Sequence, residues 1–152
     1  MYDVTATGEL LIDFIRNGLS EQNNRIYEVN PGGAPCNVLA MLEKLGYKTA
    51  FIGKVGNDEF GKLLKNTITE QKINASGLIL DPNVKTTLAF VDNDGTGDRS
   101  FSFYRKPGAD MMLREDEVNY ELINNCRIFQ FGSLSVIDEP VKSAFFYPFF
   151  NL

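Results

Sequence analysis

The sequence has 152 residues, a net charge of −5, 43% hydrophobic and 23% charged residues, and no histidine. That length and balance fit one modest folded domain with its own core and argue against disorder. The acidic surplus and the lack of any Lys/Arg cluster exclude a nucleic-acid or polyanionic-membrane partner, and the missing histidine removes His-based triads, His general bases and His-ligated zinc.

Residues 3–14 (DVTATGELLIDF) read as a strand carrying Gly8, Glu9 and Asp13 near its end. No basic segment precedes this start and no apolar run approaches a membrane span, so a cytoplasmic protein is expected. Residues 15–30 are polar and read as irregular, closing with the short extended run IYEV. Pro31-Gly32-Gly33 then opens a helix expected over Ala34–Leu45, with Val38, Leu39, Met41, Leu42 and Leu45 as its apolar stripe and Gly46 at its stop. TAFIGKV (49–55) is a compact strand. Asp58 is the expected N-cap of a second helix reaching about Gln71, with Phe60, Leu64, Thr67 and Ile68 at core spacing.

TTLAFVD (86–92) and RSFSFYR (99–105) flank the turn signal NDGTG and predict an antiparallel hairpin. A third helix is expected over Arg114–Asn124, then the strand RIFQFGSL (127–134), and Pro140 suits the first turn of another helix. Strands alternating with helices predict a parallel α/β sheet that the hairpin interrupts. Cys36 and Cys126 lack metal spacing and read as reduced, buried thiols. Asn74-Ala75-Ser76 matches a glycosylation triplet but carries no weight without secretion. The aromatic tail at 144–152, with Pro148 inside it, is atypical; it reads as a buried terminal element or as an altered reading frame, the latter preferred.

Two phosphate-binding look-alikes are set aside. GNDEFGK (56–62) nearly matches G-x4-G-K-[ST], but position 63 is Leu, and Asp58 and Glu59 would repel a phosphate. A tight glycine turn with an Asp cap explains the run better. Gly95-Thr96-Gly97-Asp98 resembles an anion hole but is followed by a strand instead of the helix such a site needs.

Three features converge instead. Asp13 ends the first predicted strand, where open α/β sheets bind ligands, and a carboxylate there can accept bonds from two neighbouring sugar hydroxyls. Gly32 and Gly33 permit close approach to the backbone, and Asn37 offers a donor and acceptors from the first helical turn. Phe101, Phe103 and Arg105 alternate onto one face; an aromatic can cover the apolar face of a sugar while Arg105 donates to hydroxyls or neutralises charge, and the competing reading, preferred for Phe101, is a core or dimer contact.

GELLIDF, NPGGAPCNVLAMLEKLG, FIGKVGNDEFG, LAFV, SFSFYRKPGAD and FQFGSLS resemble, in that order, the ribokinase-like (PfkB) carbohydrate kinases, with fructokinases closest, from about residue 2 to residue 143. The resemblance implies a doubly wound, mostly parallel α/β sheet with a small β lid. Residues 1–152 would be the amino-terminal portion of one such domain, with lid segments at about 15–30 and 84–107. It implies ATP-dependent phosphorylation of a sugar hydroxyl, with ATP and Mg2+ serving the intact enzyme and neither expected to bind this portion well. The substrate-binding set would be Asp13, Gly32, Gly33, Asn37, Phe103 and Arg105. The sugar is expected to be fructose, because Ala34 stands where ribokinases have Lys; a ketodeoxygluconate kinase is the alternative within the family. Homodimerisation through the lid is the other expected partnership. The catalytic Asp, anion hole and nucleotide site of the family's carboxyl-terminal half have no counterpart here, so the chain is expected to be inactive alone. A non-catalytic sugar-binding or dimerising fragment is the competing reading, and a P-loop hydrolase is disfavoured.

Overall fold

The computed structural model describes residues 1–93 and 99–150. It contains two four-stranded sheets. The first runs β5-β4-β1-β8 and is parallel throughout, built from β1 (Tyr2–Thr7), β4 (Thr49–Gly56), β5 (Asn74–Asp81) and β8 (Cys126–Phe131). The second runs β3-β2-β6-β7, built from β2 (Leu11–Leu19), β3 (Arg25–Gly32), β6 (Leu88–Asn93) and β7 (Arg99–Tyr104). Its two hairpins are antiparallel and join through the parallel β2–β6 pair.

All eight residues of β4 are buried, and its side chains alternate between two cores. Phe51 and Val55 face one layer with Leu39 of α1 (Ala34–Lys44) and Leu64 and Ile68 of α2 (Glu59–Glu70). Ala50 and Ile52 face the other, with Leu122 and Ile123 of α3 (Tyr120–Asn124) and Val141, Ala144 and Phe145 of α4 (Val141–Phe150). Each fully buried Leu, Ile or Phe contributes roughly 1.5–3 kcal/mol, so helices on both faces hold the parallel sheet from two sides. The doubly wound α/β architecture expected from the sequence is therefore present.

Sequence and structure differ in several elements. The first predicted strand is two strands in different sheets, because Gly8, at φ 157°, turns the chain between β1 and β2. Residues 15–30 are not irregular: β2 runs on to Leu19 and returns as β3. The second sheet thus occupies 11–32 and 88–104, beginning earlier than the segment expected at about 15–30. The predicted helix 114–124 breaks into a 3-10 turn at Glu115–Glu117 and the five-residue α3. Glu117 causes the break: its carboxylate turns inward to Lys54 at 2.8 Å and accepts the Arg114 N–H at 2.9 Å. On α1, only Leu39 of the predicted stripe is fully buried, whereas Val38, Met41 and Leu45 are exposed and Pro35 and Cys36 take the inner face.

The expected cap of α2 is present. Asp58 caps α2, accepting from Gly61 N at 2.8 Å, and a Cβ on Gly61 would lie 1.8 Å from the Gly56 carbonyl oxygen. The tight-turn reading of GNDEFGK stands. Cys36 is a buried free thiol, while Cys126 is only half-buried. The tail is helical through residue 150, with Phe145 buried in the second core. Gly95–Asp98 lies outside the described residues.

Candidate sugar-binding site

Asp13 is the third residue of β2, not the end of a strand of the parallel sheet. In register it lies between Asn30 of β3 and Ala89 of β6, and Ala89 in turn pairs with Phe103 of β7. Laterally paired residues share a face, so Asn30, Asp13, Ala89 and Phe103 form one row across the second sheet. Asp13 and Phe103 stand two strand spacings apart, roughly 10 Å. The buried Ala89 leaves a low floor between them.

The Asp13 carboxylate leans over Gly32: a Cβ there would sit 2.2 Å from Oδ2. Burial pushes the Asp13 carboxyl above its ordinary value. No hydrogen bond or ion pair engages it among the described residues, so a partly desolvated carboxylate is held ready for an external donor.

Gly33 is the residue before α1, at φ +123°, and a Cβ there would lie 2.4 Å from the Glu9 carbonyl oxygen. Both conformation and space restrict this position to glycine. Ala34 N donates to Glu9 Oε1 at 3.1 Å, so Glu9 braces the same turn with its side chain. Glu9 is buried, and its Oε2 has no hydrogen-bond partner among the described residues. Asn37 lies in the first turn of α1 with an exposed side chain. Gly32 and Asn37 line one cavity of about 50 Å³ together with Leu10 and Cys36. The Cys36 thiol is pushed far up by burial and by the nearby Glu9 charge, which leaves it protonated and unreactive.

Phe103 is 51% exposed and stacks on Phe101 with ring centroids 6.1 Å apart. Arg105 departs from the expected alternation. β7 ends at Tyr104, and the guanidinium turns inward to Asp110, with Nε and Nη2 at 2.8 and 2.6 Å from Oδ2. Phe103 and Arg105 nevertheless line a common cavity of about 260 Å³ with Lys106, Met111, Leu134 and Asp138. The six expected residues thus fall into linked groups. Asp13 adjoins Gly32, Gly32 and Gly33 lead into the helix carrying Asn37, and Phe103 with Arg105 borders a separate cavity reached across the Asp13 row.

Sequence reasoning missed Asp110 and the bracing role of Glu9. Neither has a pattern signal. A carboxylate reads as surface unless its partner is known, and both partners lie on other elements.

Phosphate groups do not fit the helix N-termini of the parallel layer. α2 is capped by Asp58, which also accepts from Thr86 N at 2.9 Å, and the N-terminus of α1 is taken by Glu9. A helix end already holding a carboxylate repels an anion. Among the described residues, no group of three or more Cys, Asp or Glu is placed to hold a metal ion.

The chain matches the pfkB family carbohydrate kinase model over residues 1–146. It is 47% identical over 143 residues to a protein of Arabidopsis thaliana named probable fructokinase-6, chloroplastic, a match covering 93% of this chain and 37% of that protein. Fructokinase from Xylella fastidiosa superposes with a TM-score of 0.90 at 33% identity, over 97% of this chain and 46% of that one. Fructokinase from Vibrio cholerae, solved with fructose, ADP and calcium, superposes at 0.77 with 34% identity, over 97% and 46%. The chain spans less than half the length of each of these relatives. With the doubly wound sheet, the second sheet and a family match over nearly every residue, the chain belongs to the pfkB family of carbohydrate kinases.

Proposed function

We propose that this chain is the sugar-binding and lid portion of an ATP-dependent fructokinase. The observation that carries the reading is the Asp13 carboxylate, partly desolvated, without a partner among the described residues, and seated in the space a side chain at Gly32 would take. A carboxylate so placed can accept bonds from two adjacent hydroxyls. Asn37 would add a donor from α1, and the backbone at Gly32 and Gly33 lets the sugar approach closely. Phe103 would cover the apolar face of the ring, with Arg105 oriented beside it. The second sheet would act as a lid that excludes water once the sugar is seated. Fructose is the sugar, in keeping with the relatives' names.

ATP with Mg2+ would supply the phosphoryl group in the intact enzyme. The residues present here do not fit the nucleotide phosphates, so this chain would hold and orient the acceptor without transferring phosphate. Purified 152-residue chain should bind fructose in calorimetry, Asp13→Ala should abolish that binding, and ATP-dependent fructose phosphorylation should be absent. Robust turnover would contradict the division of labour, and unchanged binding in Asp13→Ala would contradict the site.

A dimerising role is supported by one further observation. Ile15, Phe101 and Phe103 share one face of the second sheet and are exposed, and an apolar sheet face of this kind fits a second copy. Sedimentation would show a dimer that Phe101→Asp dissolves. Two unpaired cysteines fit a reducing compartment, the cytosol in our reading, although one relative is named chloroplastic.

A further inference from the structure

We propose that Asp110 is the positioning residue that makes the cavity under Phe103 selective for uncharged sugars over sugar acids. The inference rests on the sugar-binding reading above and deepens it by assigning the charge class of the ligand. Four ionisable side chains govern this cavity. Arg105, Lys106 and Asp138 line it, and Asp110 stands directly behind Arg105. Two cations and two carboxylates give 2 − 2 = 0, so the wall presents oriented donors without net charge.

Asp110 is built to hold that balance. It is 2% exposed with its side chain wholly buried, and the Arg105 side chain is 12% exposed. Oδ2 receives Nε and Nη2 of Arg105, while Oδ1 accepts the Thr87 hydroxyl. A Cβ on Gly108 would lie 1.7 Å from the Thr87 hydroxyl oxygen and 2.8 Å from Asp110 Oδ1, so the Thr87–Asp110 bond needs glycine at this position. Thr87 O accepts from Ile12 N at 3.1 Å, one residue before Asp13. The same carboxylate therefore fixes the guanidinium and ties it to the strand carrying the candidate sugar carboxylate. Asp110 holds the Nε–Nη2 edge, and the Leu134 carbonyl oxygen accepts from Nη1 and Nη2 at 3.5 and 3.4 Å, so Arg105 keeps one Nη1 donor for a hydroxyl but has no free bidentate edge for a ligand carboxylate.

In Asp110→Asn the wall becomes 2 − 1 = +1, and the freed fork should accept a carboxylate. Calorimetry with fructose and with gluconate gives the test. Wild type should prefer fructose. Asp110→Asn should gain gluconate binding by at least about tenfold relative to wild type, the scale of one charge-assisted bond. The double variant Arg105→Gln/Asp110→Asn, neutral again, should lose that gain. Asp110→Asn that folds by circular dichroism yet gains no gluconate binding overturns the proposal, as does a wild type that binds gluconate as tightly as fructose. Gluconate binding gained in Asp110→Asn while Asp13→Ala leaves fructose binding unchanged would sink the Asp13 reading and keep this one. The single variant buries a lone cation and is at risk of misfolding, so a measurement on wild type stands beside it. The 15N-detected Nε–H of Arg105 should exchange at least about tenfold more slowly than that of exposed Arg25. Equal exchange rates overturn the proposal whatever the variants do.

Discussion

Asp58 and Asp81 beside the parallel sheet and Asp13 in the second sheet live under opposite physical regimes. In the parallel layer, Asp81 pairs with the buried Lys54 ammonium at 3.1 Å and accepts from the backbone of Asn83 and Val84. Burial alone would raise its carboxyl, but these donors hold it below the ordinary value. Asp58 behaves alike: burial opposes its ionisation, and the N–H groups of Thr86 and Gly61 with the Thr86 hydroxyl outweigh it. Asp13, in the second sheet, has the desolvation without the donors, so its carboxyl moves the other way. Asp58 and Asp81 are saturated from within; a carboxylate left partly desolvated, half-exposed and unsatisfied suits a ligand that brings its own hydroxyls.

The comparison can be broken most forcefully at Lys54. Lys54→Met leaves Asp81 buried without its cation and removes a bond to Glu117, the residue that ends the 3-10 turn before α3. Loss of about 3–5 kcal/mol in urea unfolding is expected. A change within about 0.5 kcal/mol would show that the cluster does not organise the layer.

A smaller effect is expected at Asp58. Asp58→Ala removes the cap of α2 and its bonds to Thr86, for about 1–2 kcal/mol. Its pH dependence sharpens the contrast. A carboxylate whose folded value is depressed stabilises above its unfolded value and loses that contribution as pH falls through the folded one. The gap between wild type and Asp58→Ala should therefore be full at pH 7 and shrink progressively below about pH 4. A gap that is constant with pH would contradict this.

The smallest stability effect, and the one of opposite sign, is expected at Asp13. Its raised folded value means the ionised form is penalised in the native state; the penalty sets in as pH rises above the unfolded value and is complete above the folded one. Asp13→Asn should melt slightly above wild type at pH 7, the difference vanishing at pH 3, while losing sugar binding. A lower Tm at pH 7 would place Asp13 among the structural carboxylates.

Much of the fold was legible because its signals are local. The capped, periodic α2 and the apolar β4 read directly, since each buries one face against the same core. The second sheet was half-read. Its exposed strands carry polar and apolar residues on both faces, so β2 beyond Asp13 and β3 lack the alternation that marks a strand packed on one side. β5 went unread for a similar reason: Asn74-Ala75-Ser76-Gly77 resembles a turn, and only its pairing with β4 extends it. At the site, Asp13, Gly32, Gly33 and Asn37 stood out through glycine spacing and helix position. Asp110 did not, because its meaning depends on Arg105 and Thr87 arriving from β7 and from just before β6.

Amide chemical-shift mapping with fructose on the 15N-labelled chain tests the central claim most directly. The account predicts perturbations concentrated at Asp13, Gly32, Gly33, Asn37 and Phe103, with α2 and β5 silent. Shifts centred on the groove of Ala40, Glu70 and Gln71 between α1 and α2, or none at saturating fructose, would contradict it.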